Sequence, residues 1–252
     1  MKITTLGTSH GNHTYCRFNS STLIEVGGST YLIDSGVPVD ALLTRRGTDF
    51  NSIRGIFVTH MHGDHAAGLP NMIKYIEKFA RGQRQIPAGI FLPEEEAIEP
   101  LGAWCRALHL QFPSPLFTMN ATREGFIYED ENISVTAYET RHLRMSGLDC
   151  PSYAYRVKCE GKNILFTGDL DNQFSDFPKI ALEEEFDLIF CEATHYPPEK
   201  AVPVLMQAKT KALVFYHIHD PWHGEGEKTL LDHYKGLPFP VKVAHDLDEF
   251  DL

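Results

Sequence analysis

Four potential metal ligands stand within six residues of each other in the first third of the chain: His60, His62, Asp64 and His65. Neutral imidazoles and carboxylates are ligands that zinc, manganese and iron accept. Side chains two residues apart on an extended segment point the same way, so His60 and His62 are placed to bind one ion. Asp64 and His65, just beyond a turn, are better placed to bind a second ion. The spacing therefore predicts a dinuclear metal site rather than a loop of solvated histidines.

This ligand-rich loop joins a predicted strand to a predicted helix. Residues 55–58 are short and apolar, as in a buried strand, and apolar side chains recur at helical spacing from Leu69 to Phe79. An earlier strand, predicted over residues 30–34, ends at Asp34. We expect the Asp34 carboxylate to accept the N–H of a ligand histidine, with a turn-forming aspartate as the alternative.

Apolar strands that end in His, Asp or Glu recur further along the chain. In sheet-centred α/β folds, strand ends are where a site collects residues from distant parts of the sequence. The later predicted strand ends carry His142, Asp169, Glu192, His195 and His217. The next loop contains three residues that could line a substrate entrance: His219, Trp222 and His223. The histidines of the first loop, His10 and His13, are left outside the predicted site.

Composition narrows the classes of function. The 252 residues carry 23 Lys+Arg and 34 Asp+Glu, a net charge of −11. This balance disfavours a nucleic-acid binder, although metal ions supply positive charge that the count ignores. No apolar run approaches the roughly 18 residues that a membrane span needs, and the N-terminus lacks a signal-peptide pattern. Five cysteines without paired spacing predict reduced thiols in a cytoplasmic protein. No long linker divides the chain, so we predict a single metallo-hydrolase domain over residues 1–252.

The ligand pattern resembles that of the metallo-β-lactamase superfamily. The resemblance extends over nearly the whole chain and implies an α/β fold, the αββα four-layer sandwich, with a dinuclear site along one sheet edge. It implies two divalent ions, with zinc as the first expectation and manganese or iron(II) as alternatives. By the same resemblance one metal is bound by His60, His62 and His142, the other by Asp64, His65 and His217, and Asp169 bridges both.

Within the superfamily, the chain is similar to the branch of ribonuclease Z and cyclic phosphodiesterases. The similarity rests on three segments: Leu6-Gly7-Thr8-Ser9, Phe166-Thr167-Gly168-Asp169 and Asp187-Leu188-Ile189-Phe190-Cys191-Glu192-Ala193-Thr194. The sequence departs from ribonuclease Z in lacking a Gly/Pro-rich arm and a His-Ser-Thr motif. His195-Tyr196-Pro197-Pro198 is more similar to the cyclic phosphodiesterases of phosphonate metabolism, in which a histidine here serves as acid.

These features predict an enzyme, a dinuclear metal-dependent hydrolase that cleaves a small or cyclic phosphodiester through a metal-bridging hydroxide. We expect Asp64 to orient that hydroxide, His195 to be the general acid, and Glu192 to hold His217. The alternatives are a loop-packing histidine for His195 and a surface or salt-bridged carboxylate for Glu192, and His219 competes with His217 as a ligand. The alternatives are a tRNA 3′-processing-like endoribonuclease and a hydrolase of a lactone, thioester or lactam. A non-catalytic metal sensor is disfavoured by the intact ligand set. The sequence does not determine the oligomeric state, and a homodimer is one possibility.

Overall fold

The computed structural model describes residues 1–80, 86–145 and 147–252. Its internal contacts divide the chain into two compact units. The first unit comprises Met1–Gly7, Gly11–Thr122 and Asp246–Asp251, and the second comprises Thr8–His10, Arg123–His245 and Leu252. The single metallo-hydrolase domain over residues 1–252 stays a prediction.

A seven-stranded mixed sheet forms the centre of the first unit. Its strands are β1 (Lys2–Gly7), β2 (Ser21–Val26), β3 (Ser29–Ile33), β4 (Ile53–Phe57), β5 (Ala88–Leu92), β6 (Phe117–Ala121) and β14 (Asp248–Asp251). They lie in the order β14-β1-β2-β3-β4-β5-β6, and β3 to β6 are parallel neighbours. The helices of this unit are α1 (Val39–Arg46), α2 (Gly63–Ala66), α3 (Leu69–Ala80) and α4 (Ile98–Ala107), with 3₁₀ turns at Phe50–Ser52 and Glu95–Ala97.

Local sequence accounts for the elements that lead to the ligand loop. Strands β2 and β3 pair antiparallel across Gly27 and Gly28, whose φ angles of 57° and 78° are readily reached only by glycine. Helix α3 buries Leu69, Met72 and Ile73 on one face against the apolar core of this unit, as its helical spacing predicts. Because β3 and β4 are parallel neighbours, the residues that follow their carboxyl ends meet at one edge of the sheet.

The second unit contains another seven-stranded mixed sheet. Its strands are β7 (Gly125–Glu129), β8 (Ile133–Thr140), β9 (Ser152–Cys159), β10 (Lys162–Phe166), β11 (Leu188–Ala193), β12 (Leu213–Ile218) and β13 (Val241–Val243). They lie in the order β13-β12-β11-β10-β9-β8-β7. The helices are α5 (His142–Met145), α6 (Ile180–Glu183), α7 (Pro198–Leu205) and α8 (Gly226–His233), with a 3₁₀ turn at Asp220–Trp222.

Four strands of the second unit end at the same edge of their sheet. Strand β9 is antiparallel to both β8 and β10, and β10, β11 and β12 are parallel neighbours. The carboxyl ends of β8, β10, β11 and β12 therefore share one edge, where the predicted site residues of this unit follow. Within the described parts of the chain, we find no helix with the length and apolar character that crossing a bilayer requires.

Candidate metal centre

In the first unit, the loop after β4 brings potential metal-binding atoms together in two pairs. His60 Nε2 lies 3.0 Å from His62 Nδ1, and His65 Nε2 lies 3.4 Å from Asp64 Oδ2. Atoms that share one ion in tetrahedral geometry, at bonds of about 2.1 Å, lie about 3.4 Å apart. These distances fit the two donor pairs that the sequence spacing predicts.

The carboxylate of Asp34, at the end of β3, contacts this loop directly. Asp34 is 1% exposed; its Oδ2 lies 2.7 Å from His65 Nδ1, and its Oδ1 accepts a hydrogen bond from the Thr59 backbone N–H at 2.7 Å. A carboxylate at Nδ1 favours the tautomer that carries its proton there, which presents the lone pair of Nε2 to a metal. This is the contact expected of Asp34, and its role in holding a metal ligand is part of the proposal below.

Backbone packing fixes the position of the ligand loop relative to β3. The Ser35 N–H donates to the His65 carbonyl at 2.7 Å, and the Gly68 N–H donates to the Ser35 carbonyl at 2.8 Å. A Cβ on Gly36 would lie 2.2 Å from the backbone oxygen of Asp64, so no larger residue permits this approach. The segment that follows β3 thus supplies both a carboxylate and a surface on which the ligand loop rests.

In the second unit, the Asp169 carboxylate lies among three imidazoles. Its Oδ2 is 3.3 Å from His217 Nε2, 3.7 Å from His142 Nε2 and 3.7 Å from His195 Nδ1. Ligand atoms of Asp169, His195 and His217 lie close enough together to share a cation. A carboxylate oxygen near both His142 and His217 also fits the bridging role that the family resemblance implies for Asp169.

The backbone of His217 adopts an unusual conformation in β12. Its φ is 52°, in the left-handed region that residues other than glycine rarely adopt. The Thr194 hydroxyl donates to the His217 carbonyl at 2.5 Å. Residues held in such conformations cluster at functional sites. The conformation supports His217 as a candidate site residue.

Glu192 contacts His195 and not His217, so the partner predicted for it was wrong. Its buried carboxylate does not hold His217; both oxygens lie 3.0 Å from His195 Nδ1. It also accepts backbone hydrogen bonds from Leu170 at 2.7 Å, Thr194 at 2.9 Å and the His195 N–H at 3.0 Å. The reason is that the chain turns directly after β11 and returns the His195 ring to the strand end. Glu192 therefore contacts the candidate acid, His195, rather than His217.

Asp176 is a residue that the sequence analysis did not single out. Its carboxylate accepts hydrogen bonds from the backbone N–H groups of Arg141 at 2.6 Å and Asp171 at 3.0 Å. Burial raises the pKa of the Asp176 carboxyl to about 6. The sequence gives only a weak signal for these contacts of Asp176, because the bond to Arg141 joins residues 35 positions apart.

The predicted substrate entrance is a cluster of aromatic rings in the second unit. His219 and His223 lie beside His10, with ring centroids 5.2 Å and 6.4 Å from its ring. Burial lowers the pKa of His10. Trp222 packs against the apolar core of this unit and against the His233 ring at 6.0 Å. A role in substrate binding stays a prediction for His219, Trp222 and His223. The structure adds His10 to this cluster.

Comparison with known proteins defines the class. The chain is 30% identical to a ribonuclease Z of Methanocaldococcus jannaschii over 163 residues, which are 63% of this chain and 47% of that protein. It thus spans about half the length of this relative. The metallo-β-lactamase fold protein YhfI of Bacillus subtilis superposes with a TM-score of 0.79 at 18% identity, over 99% of this chain and 98% of YhfI. A diphosphatase of the PhnP family superposes with a TM-score of 0.73 at 21% identity, over 100% of this chain and 97% of that chain.

These similarities confirm the predicted fold and superfamily: the chain has the metallo-β-lactamase fold and is similar in sequence to ribonuclease Z. The model of one family, described as "Anti-Pycsar protein Apyc1", matches residues 1–202. The chain belongs to this family.

Proposed function

We propose that the protein is a dinuclear metal-dependent hydrolase of small or cyclic phosphodiesters. The observation that carries the proposal is the pairing of potential ligand atoms in the first unit, His60 with His62 and Asp64 with His65, at 3.0 Å and 3.4 Å. Unrelated loop histidines would not place two such pairs on one turn beside a carboxylate-bound imidazole.

The ligand assignment follows the family pattern. Two bound divalent ions supply a water whose pKa is lowered to near neutrality and positive charge for a phosphoryl oxygen. Zinc is our first choice, because imidazole and carboxylate ligands suit it, and manganese and iron(II) are alternatives. The ligands that we propose are His60, His62 and His142 for one ion, Asp64, His65 and His217 for the other, and Asp169 for both.

The chain's own residues carry out the remaining tasks. Asp34 keeps the His65 proton on Nδ1, so that Nε2 is the ligand atom. The Asp64 carboxylate can accept a proton from the attacking water. Glu192 holds His195 at Nδ1. The other ring nitrogen, Nε2, is then the one that protonates the leaving oxygen. The role of acid thus falls to His195.

Two findings support a small substrate. The net charge of −11 disfavours a long polyanion, and the fold of a PhnP-family diphosphatase matches the whole chain. The similarity to ribonuclease Z favours tRNA 3′-end processing as the second candidate. Hydrolysis of a lactone, thioester or lactam at the same residues is a third candidate. We place the protein in the cytoplasm, a compartment that suits its five cysteines, which the sequence predicts to be reduced.

The test is turnover by metal-stripped protein that is re-supplied separately with zinc and with manganese. The substrates are bis(p-nitrophenyl) phosphate, a cyclic phosphodiester, a tRNA precursor with a 3′ trailer, and an ester, a lactone and a thioester. We expect metal-restored diester cleavage that is lost in Asp169→Ala and reduced in His195→Ala. His109→Asn, which replaces an exposed histidine after α4 by a residue that tolerates its φ of 61°, is the control and should retain activity.

Each other outcome changes the conclusion. Efficient cleavage of the tRNA precursor with poor cleavage of small diesters would favour the endoribonuclease. Cleavage of the ester, lactone or thioester alone would favour the carbonyl hydrolase. Two bound metals without turnover of any substrate would contradict the proposed activity and favour a sensor.

A further inference from the structure

We propose that Asp176 is a positioning residue that holds the segments of two proposed metal ligands, His142 and Asp169, at a fixed spacing. This inference rests on the proposed function, because it concerns the same ligands. It adds a residue that neither the family resemblance nor the ligand pattern assigns.

The Asp176 carboxylate bonds the backbone of both segments. Its Oδ2 accepts from the Arg141 N–H at 2.6 Å, and the Asp171 N–H donates to both oxygens, to Oδ1 at 3.0 Å and to Oδ2 at 3.1 Å. Arg141 directly precedes His142, and Asp171 follows Asp169 by two residues. A single side chain therefore links the end of β8 to the loop after β10.

A second carboxylate, that of Asp171, also stabilises the turn that carries Asp176. The Asp171 side chain closes that turn, since its Oδ1 accepts from the backbone N–H groups of Gln173 at 2.8 Å and Ser175 at 3.0 Å. Asp176 adds a bond across to the end of another strand, 35 residues earlier. Asp176 therefore bonds an amide of its own loop and one at the end of β8, and the second bond is the link between segments.

Glu192 and Asp176 bond consecutive backbone amides of the loop after β10. Glu192 accepts from the Leu170 N–H at 2.7 Å, while Asp176 accepts from the N–H of Asp171, the next residue. The second carboxylate also bonds the segment of His142. The amide just before His142 and the amide just after Asp169 are thus each bonded to a carboxylate.

An asparagine in place of Asp176 tests the cross-link with little change in volume. An ionised carboxylate accepts on both oxygens, whereas an amide accepts on one and turns its NH₂ towards a backbone N–H. The assays are run at pH 8, well above the pKa of about 6, so that Asp176 is ionised. Asp176 lines a surface cavity, whose other charged groups are Glu124, Glu139, Arg141, Lys179 and Glu183.

The experiment compares wild type, Asp176→Asn and Gln173→Ala. Gln173 lies in the same loop with an exposed side chain, so it is the matched control. Amide hydrogen exchange at Arg141 and Asp171 is measured in the metal-free proteins, and zinc affinity is measured by competition with a chromophoric chelator. We expect Asp176→Asn to exchange faster at both amides and to lose about 10- to 100-fold in zinc affinity, with two sites retained. Gln173→Ala should behave as wild type.

The outcomes separate this proposal from the proposed function. If wild type binds zinc at two sites and Asp176→Asn binds it equally tightly, the positioning role is overturned and the proposed function stands. If wild type binds no zinc, the proposed function fails first, and the positioning role falls with it. If the variant does not fold, the wild-type exchange data decide, because unprotected amides at Arg141 and Asp171 would overturn the cross-link.

Discussion

Replacing Asp34 by asparagine would separate two tasks of this carboxylate, holding the ligand loop in place and setting the tautomer of His65. Asparagine fits the space and tolerates the φ of 63° at this position. Its oxygen can still accept from the Thr59 N–H. Its NH₂ must then donate to His65 Nδ1, which moves the ring proton to Nε2, the nitrogen that faces Asp64 at 3.4 Å. The variant should fold but present a protonated nitrogen to the metal.

The magnitudes follow from the two short bonds of Asp34, each 2.7 Å. A hydrogen bond to a charged group contributes about 1.5–3 kcal/mol and a neutral one about 0.5–1.5 kcal/mol. Losing the charge therefore costs about 1 kcal/mol per bond, or about 2 kcal/mol in the free energy of unfolding of the metal-free protein. Zinc affinity should fall by about 10- to 100-fold, the usual effect of losing the partner of a ligand histidine.

The assay pairs urea unfolding of the metal-free protein with a zinc competition titration. Asp49→Asn is the matched control, because Asp49 also accepts a backbone N–H, that of Asn51 at 2.9 Å, but is exposed at the start of a 3₁₀ turn. Asparagine caps such turns as well as aspartate, so both measurements should stay at wild-type values. A folded Asp34→Asn protein with wild-type zinc affinity would refute the tautomer argument. A loss of stability above about 5 kcal/mol would show that the carboxylate is chiefly structural.

Three further perturbations test other parts of the account. Glu192→Gln should lower phosphodiester turnover about 10-fold or more at unchanged zinc stoichiometry, measured by initial rates and metal analysis, because the candidate acid loses its anionic partner. Gly36→Ala should cost about 3 kcal/mol or more of unfolding free energy, because its Cβ would meet backbone at 2.2 Å, whereas Gly63→Ala, with open space around it, should cost far less. A thiol reagent at pH 8 should label the exposed Cys16 quickly and Cys105 slowly, because burial raises the pKa of Cys105 to about 11; equal rates would contradict the buried core.

Much of the architecture around the ligand loop could be predicted from local sequence. The Gly27-Gly28 hairpin, the apolar face of α3 and the apolar strands before each cluster of polar residues carry strong periodic or turn signals. Strands β6 and β14 were not predicted. Both lie at sheet edges. β6 does alternate apolar and polar residues from Phe117 to Ala121, a short signal that was overlooked, whereas β14 has a single apolar residue, Phe250, among acidic ones.

The parts of the site that could be predicted are those set by local sequence spacing or by a strand end. The i, i+2 spacing of His60 and His62 sets their pairing, and the strand end before Asp34 accounts for its approach to His65. The partner of Glu192 was wrong because the choice between His195 and His217 depends on the path of the chain after β11. Asp176 was missed because its bond to Arg141 depends on tertiary packing, which sequence spacing does not reveal.

The central claim is that seven side chains of this protein bind two metal ions. Native mass spectrometry of metal-stripped protein reconstituted with zinc measures this directly, with Asp169→Ala beside wild type. We predict two zinc ions per wild-type chain and loss of zinc from the variant. Wild-type protein that binds one zinc ion or none, or an Asp169→Ala protein that retains both ions at wild-type affinity, would contradict the claim.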